Sequence, residues 1–292
     1  MFKIAAATLL ALGLAMPAVA EITAIRAGRV ITDAAQPARG ASTILVENGL
    51  IIEINDAAAA LPAGAKVIDL SGKTVMPGLI DAHVHLTGTP DSQFWQEAVT
   101  TDEYSVAVGL ANAATTLRAG FTTVRDLGSG RLSGFAVRDA IANGIATGPR
   151  TLVSGPAISI IGGHGDVSGY RPEVNAALAM GNTCTGAEQC AARVREASRA
   201  GADVIKITAT GGVLSQQARG LGQHFTDAEM RAIVTTAHGL GLKVAAHAHG
   251  ARGIEAAANA GVDSIEHGTF ADAAAIQAMV NNKTWYVPTL MA

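Results

Sequence analysis

The chain has 292 residues, enough for one large domain or for a large and a small one. Hydrophobic residues make up 49% and charged residues 15%, which is ample apolar material for a core and excludes intrinsic disorder. The formal net charge is -3, with no run of Lys and Arg and no basic–aromatic interleaving, so nucleic acid is excluded as the expected partner.

Residues 1–20 read MFKIAAATLLALGLAMPAVA. Lys3 supplies a positive start, an apolar stretch follows from Ile4 to Met16, and Ala18-Val19-Ala20 offers a small-residue cleavage site. This pattern predicts a secretory signal peptide cut after Ala20. The apolar stretch is short for a membrane span of about 20 residues, so cleavage is expected rather than anchoring. The product is then expected in the periplasm or outside the cell, with no stable membrane association.

Residues 21–75 read as all-β. Strands are predicted over 22–30, 42–47 and 50–54, with turn signals at Asn48-Gly49 and Ser71-Gly72. Asn48-Gly49 between two apolar runs predicts a hairpin. From residue 76 to 292 the pattern changes to Ala-rich helix, then Gly, then a short apolar strand. Gly120, Gly201, Gly241 and Gly261 each stand where a helix would end, because glycine takes the left-handed conformation there without penalty. Thr226 and Glu229 predict a capping box at a helix start. Consecutive βα units follow, with barrel strands predicted over 78–83, 122–126, 150–154, 203–208, 243–247, 263–266 and 285–289. Cys184 and Cys190 leave both a small disulfide loop and two free thiols open.

The polar residues at the strand ends carry the chemistry. His83 and His85, at i and i+2 on a strand, point the same way and can share one metal. Lys206 lies among aliphatic residues, where an ammonium is expensive and tends to lose its proton. The neutral amine can take up carbon dioxide to give a carbamate, an anionic bridging ligand; pairing with an interior carboxylate is the plain alternative. His247 and His267 end the next two strands. These five residues converge only if the sheet closes into a barrel, whose C-terminal face is where active sites lie. An open doubly wound sheet would scatter them.

The stretch 75–85 (VMPGLIDAHVH) resembles the entry motif of the amidohydrolase superfamily. With 120–128 (GFTTVRDLG), 162–165 (GGHG), 202–212 (ADVIKITATGG), 246–250 (AHAHG) and 265–268 (IEHG), the chain is similar to its binuclear Xaa-Pro dipeptidase-like and carboxypeptidase-like branch, which includes ochratoxin-degrading amidohydrolases. The resemblance covers nearly all of residues 21–292. It implies an α/β fold, a (β/α)₈ TIM-like barrel beside a β-sandwich partly built from the N-terminal strands. It implies two divalent metal ions, expected to be zinc. His83 and His85 would hold one, His247 and His267 the other, and carboxylated Lys206 would bridge them. His249 would polarise a substrate carbonyl and His164 would face the substrate. The implied activity is hydrolysis of an amide bond in dipeptides or N-acyl amino acids, driven by a hydroxide shared between the metals.

One departure stands out. The family carries an Asp after an eighth strand, and this sequence reaches Ala292 just after the seventh, so the barrel is expected to be incomplete and the chain a piece of a longer protein. Two other functions compete. A mononuclear deaminase or imidazolonepropionase-like cyclic amidohydrolase would leave Lys206 without a task. A non-catalytic exported binding protein, or an inactive fragment, would not need five candidate ligands. A homo-oligomer is compatible with the sequence.

Overall fold

The computed structural model describes residues 21–89, 92–212 and 220–289; the expected signal peptide lies outside them. The chain divides into two compact units after Pro77. Among the described residues, no helix is long and apolar enough to cross a membrane.

The first unit is a four-stranded sheet in the order β3-β2-β1-β4. Its strands are β1 (Ile22–Val30), β2 (Ser42–Glu47), β3 (Leu50–Asp56) and β4 (Lys66–Val75). The hairpin joining β2 and β3 turns at Asn48 and Gly49, with φ of 51° and 79°, the doubly left-handed turn that such a pair favours. Strand β4 is a correction to the sequence reading, which took Ser71-Gly72 as a break. The strand instead runs through that pair and absorbs it as an irregularity: the β1–β4 register shifts between Ala27 and Arg29. A side chain at Gly28 would collide with the Ser71 carbonyl there, so the two strands pass closely at a glycine. Ala27, Val30 and Ile44 form the small core of this unit.

The second unit alternates strands and helices. In chain order these are β5 (Leu79–Val84), α1 (Asp102–Arg118), β6 (Phe121–Asp126), α2 (Ser133–Ala142), β7 (Arg150–Val153), β8 (Ser159–Ile160), α3 (Pro172–Leu178), β9 (Thr183–Cys184) and α4 (Ala187–Ala200). There follow β10 (Val204–Thr208), α5 (Asp227–Gly239), β11 (Lys243–Gly250), α6 (Ala251–Ala260), β12 (Ser264–Phe270), α7 (Ala273–Asn282) and β13 (Trp285–Val287). A short 3₁₀ helix, Phe94–Val99, precedes α1. Gly120, Gly201, Gly241 and Gly261 all sit at positive φ at helix ends, as the punctuation predicts. Thr226 and Glu229 form the expected capping box on α5.

Strands β5-β6-β7 and β10-β11-β12-β13 form two parallel ladders. A hydrogen bond from Asp203 N–H to the Val153 carbonyl ties the end of β7 to the start of β10, and Ile158, between β7 and β8, bridges to Ile207 of β10. Seven strands thus follow one another around a single wall. That wall is curled. On a flat sheet, β5 and β12 would stand five strand spacings apart, about 24 Å at about 4.8 Å each. Yet His83 of β5 lies 2.9 Å from Glu266 of β12. The fold is an incomplete (β/α)₈ barrel, and the flat doubly wound alternative is excluded. Phe225, Met230, Ile233, Ile254 and Ile265 pack the main core between wall and helices.

Two details lay outside the sequence reading, and the cysteine pair resolves an alternative it left open. The pair β8 and β9 forms a small separate ladder. Cys184 and Cys190 form a disulfide, which fastens β9 to α4. Strands β11 and β12 run on beyond the expected 247 and 266, because a register shift between Ala248 and Gly250 lets the ladder continue past the histidines.

Candidate metal centre

The barrel mouth gathers every site residue the sequence singles out. His83 lies on β5 and His85 just beyond it, Lys206 on β10, His247 and His249 on β11, His267 on β12, and His164 on the loop after β8. The rings touch in series. His83 stands 5.2 Å from His85 and 4.9 Å from His267 between centroids. His247 stands 4.7 Å from His249 and from His267, and His164 stacks on His247 at 4.1 Å. Nitrogen atoms of His247, His249 and His267 all lie within 4.8 Å of one another.

The partner of each ring fixes which nitrogen faces the centre. His83 Nδ1 meets Glu266 Oε2 at 2.9 Å and His85 Nδ1 meets the Gly128 carbonyl at 2.9 Å. Both partners are acceptors, so both rings carry their proton on Nδ1 and present Nε2 as a lone pair. His267 Nδ1 lies 2.7 Å from Thr289 Oγ1, whose own hydrogen goes to the Pro288 carbonyl, so this ring also donates from Nδ1. His247 donates from Nε2 to the Gly211 carbonyl at 3.2 Å, leaving Nδ1 as its free acceptor.

These donors suit a divalent cation. His83 Nε2 and His85 Nε2 are 3.3 Å apart. Two nitrogen ligands at about 2.0–2.1 Å from a tetrahedral centre stand about 3.3 Å from each other. Two acceptors at that separation repel one another unless a cation lies between them. Glycine lets the rings seat: a side chain at Gly128 would run into His85, and one at Gly212 into His164. His267 takes the left-handed φ of 72°, a conformation that costs a non-glycine residue and persists at functional sites.

The electrostatics keep the rings neutral, the form that binds metal. Burial pushes His164 down to about 4 and His267 down to about 3, and Lys206 pushes both further the same way. His85 stands at the open mouth, yet the protein packed around it and the charge of Lys206 lower it to about 4. Burial also holds His247 far below its ordinary value, and it lowers His83 despite the carboxylate beside it. Lys206 is only 4% exposed. Burial brings its pKa down to about 8, against the pull of Glu266 and Asp126. Both readings of this lysine therefore have a physical basis: carboxylates lie within electrostatic reach, and its amine loses its proton more easily than usual.

Sequence reasoning missed Glu266, Arg125 and Asp126 as parts of the site. Glu266 is fully buried and binds His83, Arg125 and Ser264. Asp126, also fully buried, accepts from the N–H groups of Leu86 and Gly128 and pins the segments on either side of His85. The available signal was a charge inside an apolar strand, the same one that marked Lys206.

The sequence profile of the amidohydrolase family matches residues 74–291, and this span contains all seven candidate site residues. The chain belongs to the amidohydrolase family. It is 32% identical over 290 residues to an ochratoxinase of Aspergillus niger, covering 92% of this chain and 59% of that protein. Among solved structures it is similar to a Xaa-Pro dipeptidase with methionine bound in its active site: 36% identity, TM-score 0.81, covering 92% of this chain and 67% of that one. It is also similar to a prolidase complexed with N-methylphosphonate-L-proline, at 33% identity, TM-score 0.81, and 93% and 67% coverage. This amidohydrolase thus spans about three-fifths of the ochratoxinase's length.

Proposed function

We propose that this amidohydrolase carries the metal-binding face of an exported hydrolase that cleaves the amide bond of dipeptides or N-acyl amino acids. The observation that carries the reading is the pair of inward lone pairs on His83 and His85, 3.3 Å apart, facing His247 and His267 across the same mouth. His83 and His85 would hold one divalent ion and His247 and His267 a second, with carboxylated Lys206 between them; zinc suits four nitrogen donors. When bound, such ions supply an activated water and polarise the scissile carbonyl.

The chain's own residues do the rest. His249 is held by Thr269 Oγ1 at 2.9 Å and by its backbone N–H on Thr210 Oγ1 at 3.0 Å, which fixes its ring beside His267 to orient a carbonyl. His164 sits on a glycine-flanked loop at the wall of a cleft of about 660 Å³, a size that takes a dipeptide. Arg131 is the one Arg or Lys among the described residues lining that cleft. It is tied to Asp102 at 3.2 Å and to the Ala177 carbonyl, and it supplies a cation for a substrate carboxylate. Phe94 and Tyr170, 6.5 Å apart, give the same cleft an apolar wall.

The reading is tested by assaying a panel of N-acyl amino acids and dipeptides. The assay uses this chain and, in parallel, the longest reading frame that contains it. Hydrolysis that a chelator abolishes and zinc restores is the expected result. No hydrolysis by either protein, with or without added metal, would contradict it.

A further inference from the structure

Three strands meet at one buried carboxylate. Arg125 of β6 reaches across the barrel interior and donates from Nε to the Ala82 carbonyl of β5 at 2.7 Å. Its Nη2 donates to Glu266 Oε1 of β12 at 2.8 Å, and its Nη1 to Ser264 Oγ at 3.3 Å. Ser264 Oγ in turn donates to the same Oε1 at 2.6 Å. Glu266 Oε1 therefore receives two donors, and Oε2 is left for His83 Nδ1 at 2.9 Å. With no solvent exposure, the carboxylate cannot turn away to water, and an unpaired charge here would be costly.

We propose that Glu266, set in place by Arg125 and Ser264, is a positioning residue of the metal centre: it fixes His83 in the Nδ1–H tautomer with its Nε2 lone pair turned toward His85. The role rests on the reading of His83 and His85 as ligands. A ligand histidine held by an acceptor on its other nitrogen keeps both its tautomer and its ring angle.

The substitution Glu266→Gln follows from the geometry. Arg125 and Ser264 both donate to one oxygen, so the amide must place its carbonyl there and its NH₂ toward His83 Nδ1. That NH₂ is a donor, and His83 answers by moving its proton to Nε2. Nε2–H then points at the His85 Nε2 lone pair 3.3 Å away. The gap that suits a cation becomes a hydrogen bond between two histidines, and the site closes on itself.

Two measurements test this. The first is long-range ¹⁵N–¹H NMR of the His83 ring in metal-free protein, which reads the tautomer without metal or activity. Nδ1–H is expected in the parent chain and Nε2–H in Glu266→Gln. The second is titration with cobalt(II) alone, followed by visible absorption. Glu266→Gln is expected to bind more weakly by about 10- to 100-fold. An Nε2–H tautomer in the parent overturns the proposal even if the variant fails to fold. So does parental cobalt affinity in a folded Glu266→Gln. A parent that binds no cobalt(II) while His83 shows Nδ1–H defeats the metal-centre reading but leaves Glu266 as the group that fixes His83.

Discussion

Replacing Asp126 with an asparagine removes a buried charge while keeping the outline of the side chain. Asp126 is fully buried, with Oδ2 accepting from Leu86 N–H at 2.9 Å and Oδ1 from Gly128 N–H at 3.1 Å. Burial pushes its pKa from 3.8 up to about 6, against the pull of those two donors and of Lys206. A rise of that size corresponds to about 3 kcal/mol. The folded pKa lies above the unfolded one, so the native state holds the proton more tightly. The resulting stabilisation is complete below about pH 4 and is lost as pH rises through about 6. The amide of Asp126→Asn has no such dependence, but at every pH it turns an NH₂ toward one of the two backbone donors, at a cost of about 1–3 kcal/mol. The variant should therefore be less stable than the parent at pH 4 and level with it or ahead at pH 7. Between those limits the stability difference should move by about 3 kcal/mol in the variant's favour. Urea unfolding of both proteins, metal-free and across this pH range, measures that movement. A difference that does not change with pH would refute the reasoning, because it would mean that Asp126 titrates like an exposed carboxylate.

Lys206→Met should leave the fold intact, since an apolar side chain of similar length replaces a buried amine; elemental analysis should find that it fails to retain the parent's full metal complement. Arg131→Met should raise KM for N-acyl amino acids by about 10- to 100-fold, the loss of a charged hydrogen bond. Its kcat, and its KM for the matching uncharged amides, should stay unchanged in steady-state assays. Phe225→Ala empties a fully buried ring position in the main core and should cost about 3–5 kcal/mol by urea unfolding.

Much of the site could be read from the sequence because its residues stand at fixed places in a repeating unit. Helix-ending glycines announce β6, β10, β11 and β12, and the histidines at 83, 247 and 267 fall in the C-terminal halves of β5, β11 and β12. His83 and His85 declare a shared direction by their i, i+2 spacing. The partners could not be read in the same way. Glu266 meets His83 across 183 residues of sequence, and no periodicity links them. Gly128 and Gly211 serve His85 and His247 through backbone carbonyls, which carry no residue-type signature. Strand β4 was hidden for a different reason. Ser71-Gly72 has turn composition, yet the chain runs extended there, close against Gly28. The state of Cys184 and Cys190 depended on β9, which is too short to leave a pattern.

The most direct test of the metal centre is its stoichiometry. The chain would be purified without chelator, dialysed against metal-free buffer, and its metals counted by inductively coupled plasma mass spectrometry. The account predicts about two divalent ions per chain, the number that two histidine pairs joined by one bridging lysine would hold. A chain that retains none, and takes up none from excess zinc, would contradict it.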